Sequence, residues 1–116
     1  MDNVIEKKSF EFAVKIVKMA SELKKGKLHY ELASQVLRSG TSIGANVAEA
    51  QYAQSTKDFV SKLRIALKEA NETDYWLRLL EACGIVAAEE TKPLIGDVKE
   101  IQRILTAIVN TTTATQ

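Results

Sequence analysis

Arg38, Ser42, Asn46 and Glu49 follow one another at i, i+4, i+8 and i+11, which aligns four polar side chains along one face of a helix. A second set, Lys62, Glu69, Glu72 and Trp76, stands at i, i+7, i+10 and i+14 and shares a face in the same way. On antiparallel helices joined by a turn near Gln54, Arg38 lies level with Glu69 and within reach of Glu72, while Glu49 lies one turn from Lys62. The chemistry this offers is ionic. It either fixes the register of two helices or two subunits through partly desolvated ion pairs, or lines a ligand groove with Asn46, Glu49 and Glu72.

A third row passes through Lys57, Arg64, Lys68, Tyr75 and Arg78, again at spacings that hold one helical face. Lys8, Lys15, Lys18 and Lys25 recur along the N-terminal segment, broken by Glu11 and Glu22. Cations interleaved with a tyrosine suit phosphate contact and base stacking. The plainer reading is a solvated face with i, i+4 pairs such as Glu11 with Lys15. A net charge of +1 supplies no global field for a polyanion, so nucleic-acid contact requires a local patch.

Residues for other chemistries are missing. A di-iron bundle needs two Glu-x-x-His motifs and two further inward carboxylates, and the sequence has one histidine, His29, expected as an ordinary solvated loop residue. The one cysteine, Cys83, has no internal disulfide partner and no CxxC spacing. Among Ala82, Ile85 and Val86 it reads as a buried, inert thiol. No glycine loop follows a strand to cradle phosphate. The expectation is therefore a protein that is not an enzyme, with no catalytic residues, no metal and no cofactor, in a reducing cytoplasm. Met1 to Lys8 lacks the basic-then-apolar pattern of a secretory signal, and the longest charge-free run, Ile104 to Gln116, falls far short of a membrane span.

The elements that must position these rows are helices. Hydrophobic residues make up 46% and charged residues 27% of the 116, with one proline and five glycines, which leaves little punctuation for a many-turned β fold. Ile5, Phe12, Ile16, Met19 and Leu23 predict a helix over about 4–25, with Phe10, Val14 and Val17 widening its apolar stripe and Gly26 as its C-cap. Gly26 to His29 is a link short enough to require an antiparallel neighbour. Leu32, Val36, Ile43, Val47 and Ala50 hold helical phase over about 30–54, across Gly40 and Gly44, whose small size lets a neighbour approach. Ser55 to Asp58 reads as a variant capping box, opening a helix over 56–82 that Gly84 terminates. A fourth helix, about 88–111, carries Leu94, Val98, Ile101, Leu105 and Ile108, with Pro93 expected in its first turn and Thr111 to Gln116 as a frayed tail. The fold expected for residues 1–116 is a single all-α domain, an antiparallel up-down-up-down four-helix bundle.

Arg38 to Ala50 (RSGTSIGANVAEA), Asp58-Phe59, Lys62 to Ala70 (KLRIALKEA) and Glu72 to Leu77 (ETDYWL) together resemble the bacterial four-helix-bundle proteins named after the 23S rRNA intervening sequence, also called S23 ribosomal protein-like. The likeness runs from Phe12 to Ile108. It implies a non-catalytic homopentamer associated with RNA or DNA, with no membrane and no metal among its partners. The alternative is a protein–protein interaction or scaffold subunit without nucleic-acid binding, such as an accessory protein to a retroelement reverse transcriptase.

Overall fold

The computed structural model describes residues 3–26 and 29–115, and among them every regular element is a helix: α1 (Val4–Lys24), α2 (Tyr30–Ala50), α3 (Thr56–Ala82) and α4 (Ala88–Ala114). Packing runs α1 to α2, α2 to α3, α3 to α4 and α4 back to α1, with neither diagonal pair in backbone contact. That cyclic order is the expected up-down-up-down bundle, a rod of 48 × 23 × 20 Å. The α1–α4 seam is the loosest of the four. It is closed at its rim by Lys8–Glu100 at 3.0 Å and Lys15–Asp97 at 2.8 Å.

Local chemistry sets the helix ends. Asn3 caps α1, its side-chain oxygen accepting from the Glu6 N–H at 3.1 Å. Ser55 caps α3 by accepting from the Asp58 N–H at 3.0 Å, and the Asp58 carboxylate reaches back to the Gln54 N–H at 3.4 Å, so the variant capping box forms with its return bond one residue early. At the far end of α3, Gly84 takes φ 70°, and the amides of Gly84 and Ile85 donate to the carbonyls of Glu81 and Leu80, each at 3.0 Å. This is the paired termination that needs a residue tolerant of the left-handed region.

Phe12, Ile16, Val36, Ile43, Val47, Leu63, Leu77, Leu80, Val98, Ile101 and Leu105 are fully buried. Each large aliphatic or aromatic side chain so buried contributes roughly 1.5–3 kcal/mol relative to exposure. The continuity of α2 through its glycines has a steric cause in α1. A Cβ on Gly40 would sit 2.8 Å from Ile16 Cγ2, and one on Gly44 would sit 3.2 Å from the Ser9 carbonyl oxygen.

Six expectations are corrected. α2 ends at Ala50, four residues early. Gln51, Tyr52 and Ala53 then donate to carbonyls three residues back, a tightened turn around the exposed Tyr52 that has nothing to pack against. α4 runs on to Ala114, so the segment expected to fray is helical up to there, because Val109 is buried and Thr113 donates to its carbonyl at 2.9 Å. Pro93 is the sixth residue of α4, outside the first turn, and is tolerated on the exposed side where the carbonyl it leaves free, that of Glu89, is still near the helix start. Cys83 is exposed, because it is the cap residue just past the last turn of α3, on the side away from Leu80 and Val86, which enter the core. Phe10, Val14 and Val17 face outward, since Ile5, Phe12, Ile16 and Met19 already fill the inward arc of α1. The C-cap of α1 is Lys25 in ordinary helical geometry, with Gly26 following it. His29 caps α2 without a side-chain bond. Residues 27 and 28 of the expected link, 1 and 2 of the N-terminal segment and 116 of the tail lie outside the described residues.

Candidate nucleic-acid interface

The polar rows of α2 and α3 meet, and they divide the work unevenly. Arg38 spans both helices, one guanidinium nitrogen 3.1 Å from Glu69 Oε2 and the other bonded to Glu72 Oε2. The Trp76 indole N–H donates to the same Glu72 oxygen at 3.1 Å. Beneath this clamp, buried Thr73 donates to buried Ser39 at 2.9 Å. Ser42 and Asn46 turn back on their own helix, donating to the carbonyls of Arg38 at 2.6 Å and Ser42 at 2.8 Å. Glu49 and Lys62 make no ion pair among the described residues. Within one chain the side-chain network is therefore a four-residue clamp of Arg38, Glu69, Glu72 and Trp76; Ser42 meets it only at the Arg38 backbone carbonyl, and Asn46, Glu49 and Lys62 form no hydrogen bond or ion pair with it among the described residues.

The basic residues separate as sharply. On α1, Lys8 is paired with Glu100 and Lys15 with Asp97, and at its C-cap Lys25 is paired with Glu22 at 2.9 Å. The Asp97 carboxylate, by hydrogen bond and charge, holds the Lys15 ammonium above the ordinary lysine range. Lys18 has no ionic partner among the described residues, but its neighbours along the helix are taken. On α3 the outcome is different. Lys57, Arg64 and Lys68 make no ion pair among the described residues. They line an open groove of about 540 Å³ together with Val60, Ser61 and Ile65 of α3 and Thr113 of α4.

Register brings α4 into the same surface. Gln102 donates to Asn71 at 2.8 Å, Lys99 lies 3.5 Å from Asp74, and Thr91 donates to Glu81 at 2.8 Å, so α4 runs antiparallel along the outer flank of α3. Beyond the first groove, Lys99, Gln102, Arg103 and Asn110 line a second shallow depression of about 560 Å³. Arg103 has no ion pair among the described residues either. Asp74 is nearly buried and draws in both Arg78, at 3.4 Å, and Lys99. Its Oδ1 accepts no hydrogen bond. Between Lys57 and Arg78 the outer flank thus carries Lys57, Arg64, Lys68, Arg78, Lys99 and Arg103, with Asp74 holding Arg78 and Lys99 and with Glu72, one turn beyond Lys68, taken by Arg38. On a chain of net charge +1, the remainder carries more acid than base.

Lys99 and Arg103 are absent from the sequence-derived rows. Their signal was an i, i+4 spacing on α4, but only the α3–α4 register makes it part of a basic flank. Among the described residues no group of three or more His, Cys, Asp or Glu side chains is gathered to hold a metal, and no helix is long and apolar enough to cross a membrane.

Comparison with known proteins is consistent with the motif resemblance. A family model described as 23S rRNA-intervening sequence protein matches residues 1–107. A crystal structure of a protein of unknown function from the S23 ribosomal protein family of Bacteroides thetaiotaomicron VPI-5482 superposes with a TM-score of 0.88 at 47% identity, over 90% of this chain and 97% of that one. No curated protein matches. The chain belongs to the 23S rRNA-intervening sequence protein family.

Proposed function

We propose that the chain is a non-catalytic, cytoplasmic, homo-oligomeric bundle that associates with RNA through the outer flank of α3 and α4. The observation that carries this reading is the row Lys57, Arg64 and Lys68, which make no ion pair among the described residues and line one groove, while Lys8, Lys15 and Lys25 are held in ion pairs and Lys18 stands alone. Cations without internal partners are the ones that can exchange bound counterions for phosphate, and that exchange supplies most non-specific affinity. Homo-oligomerisation, pentameric by family resemblance, is supported by the outward Phe10, Val14 and Val17, an apolar stripe that a second copy of the chain would cover. It would also repeat a weak basic patch several times on one particle, raising avidity without new contacts.

The test is titration of a structured RNA against salt. With Lys57, Arg64, Lys68 and Arg103 engaged, log K should fall with log salt at a slope of about −3, and the triple variant Lys57→Ala, Arg64→Ala, Lys68→Ala should flatten it by about 2. The reading is wrong if no salt-sensitive binding occurs at low ionic strength, or if the triple variant binds as the parent does. The scaffold alternative would then stand, with partners sought among proteins.

A further inference from the structure

We propose that the α3 flank takes a single RNA strand in preference to a duplex, with Tyr75 as the platform on which a base stacks; this rests on the RNA-associated reading above. Three observations carry it. First, the groove that the cations share is lined between them mainly by aliphatic side chains, Val60 and Ile65, beside Ser61. Phosphates gain nothing from such a lining, whereas the face of an unpaired base does. Second, Tyr75 stands seven residues, about two turns, beyond Lys68 on the same helical face, so it continues the row that Lys57, Arg64 and Lys68 begin. Third, the residue is 53% exposed yet its ring is held in an edge-to-face pair with Trp76, centroids 5.3 Å apart and planes at 72°. Trp76 is itself tied to Glu72. A presented aromatic ring fixed by an edge contact loses little freedom when a base stacks on it.

A row of cations tracking a backbone, with an aromatic face in line, is what sequence-tolerant recognition of single strands requires. A duplex keeps its base faces stacked inside and could use only the cations. The row from Lys57 to Tyr75 spans about 27 Å of helix axis, enough for several nucleotides of an extended strand.

Fluorescence anisotropy on the full chain separates the possibilities, with an unstructured labelled RNA of alternating A and C and the same strand annealed to its complement. The parent should bind the strand more tightly than the duplex. Tyr75→Ala should weaken strand binding about tenfold and leave duplex binding unchanged. Tyr75→Leu, which keeps bulk against Trp76 without a π face, should behave like Tyr75→Ala, and Tyr75→Phe like the parent. Equal or stronger duplex binding, or Tyr75→Leu losing nothing on the strand, overturns the single-strand proposal while leaving the RNA reading intact, provided the Lys57, Arg64, Lys68 variant still loses affinity. Binding to neither RNA overturns both.

Discussion

Arg38 is 49% exposed, but one of the two carboxylates it holds, Glu69, is only 13% exposed. Removing the guanidinium leaves Glu69 and Glu72, one turn apart on α3, facing each other without a counter-charge. Exposed ion pairs contribute about 0–1 kcal/mol and the breaking of buried ones costs about 3–5, so this half-exposed clamp belongs between them. Arg38→Ala should lower unfolding stability by about 1–2 kcal/mol in a urea titration monitored by circular dichroism. Arg38→Lys should recover only part of that, since one ammonium cannot serve both carboxylates as the guanidinium fork does. The clamp was legible in the sequence because helical spacing and a short turn fix which residues of α2 and α3 lie level. The pairing of Lys8 and Lys15 was not, because Glu100 and Asp97 lie on a helix at the other end of the chain and only closure of the bundle brings them near. Ser42 and Asn46 escaped for another reason. Spacing says which face a side chain leaves from, and not whether it then turns back to its own backbone.

Among the elements, α2 shows how a weak local preference is overridden by packing. A glycine in a helix interior costs about 1 kcal/mol relative to alanine, yet at Gly40 the methyl group would press on Ile16, a fully buried β-branched side chain with no room to rotate away. Gly40→Ala should therefore destabilise the fold, since overpacking costs about 1–3 kcal/mol against a propensity gain of about 1. Gly96 provides the contrast within the same molecule. It lies inside α4 with nothing within 4 Å of an added Cβ, so Gly96→Ala should stabilise by up to about 1 kcal/mol. Denaturant midpoints of the two variants should move in opposite directions, and a matching shift would remove the close-approach explanation of Gly40. Helix existence and phase were readable throughout, because apolar repeats at three and four residues leave little else to form. The width of the buried arc was not. Phe10, Val14 and Val17 sit beside the core stripe of α1 in phase, and periodicity alone does not say where the inward arc stops. The ends of α2 and α4 depended likewise on what lay beside them, a solvated Tyr52 in one case and a buried Val109 in the other.

At the scale of the whole molecule, the rod has two flanks of different character. One, from α1, presents Phe10, 69% exposed, with Val14 and Val17 one and two turns along. Substituting Phe10→Asp and Val17→Asp should leave helicity intact, because neither side chain enters the core, and reduce the particle to a single 12.8 kDa chain in sedimentation or light scattering. A parent that already sediments as 12.8 kDa would remove the oligomer from the proposed function. The other flank, from α3 and α4, carries the cations and Tyr75. In a bundle whose helices touch in the order α1, α2, α3, α4, the α1–α2 side and the α3–α4 side are back to back. A contact between copies made through the first side leaves the second uncovered by that contact. RNA would then be wound about such a particle as cord is wound on a spool, taken up in equal lengths by each copy around the rim, with its bases turned toward the protein and its far side left open to whatever else must read it.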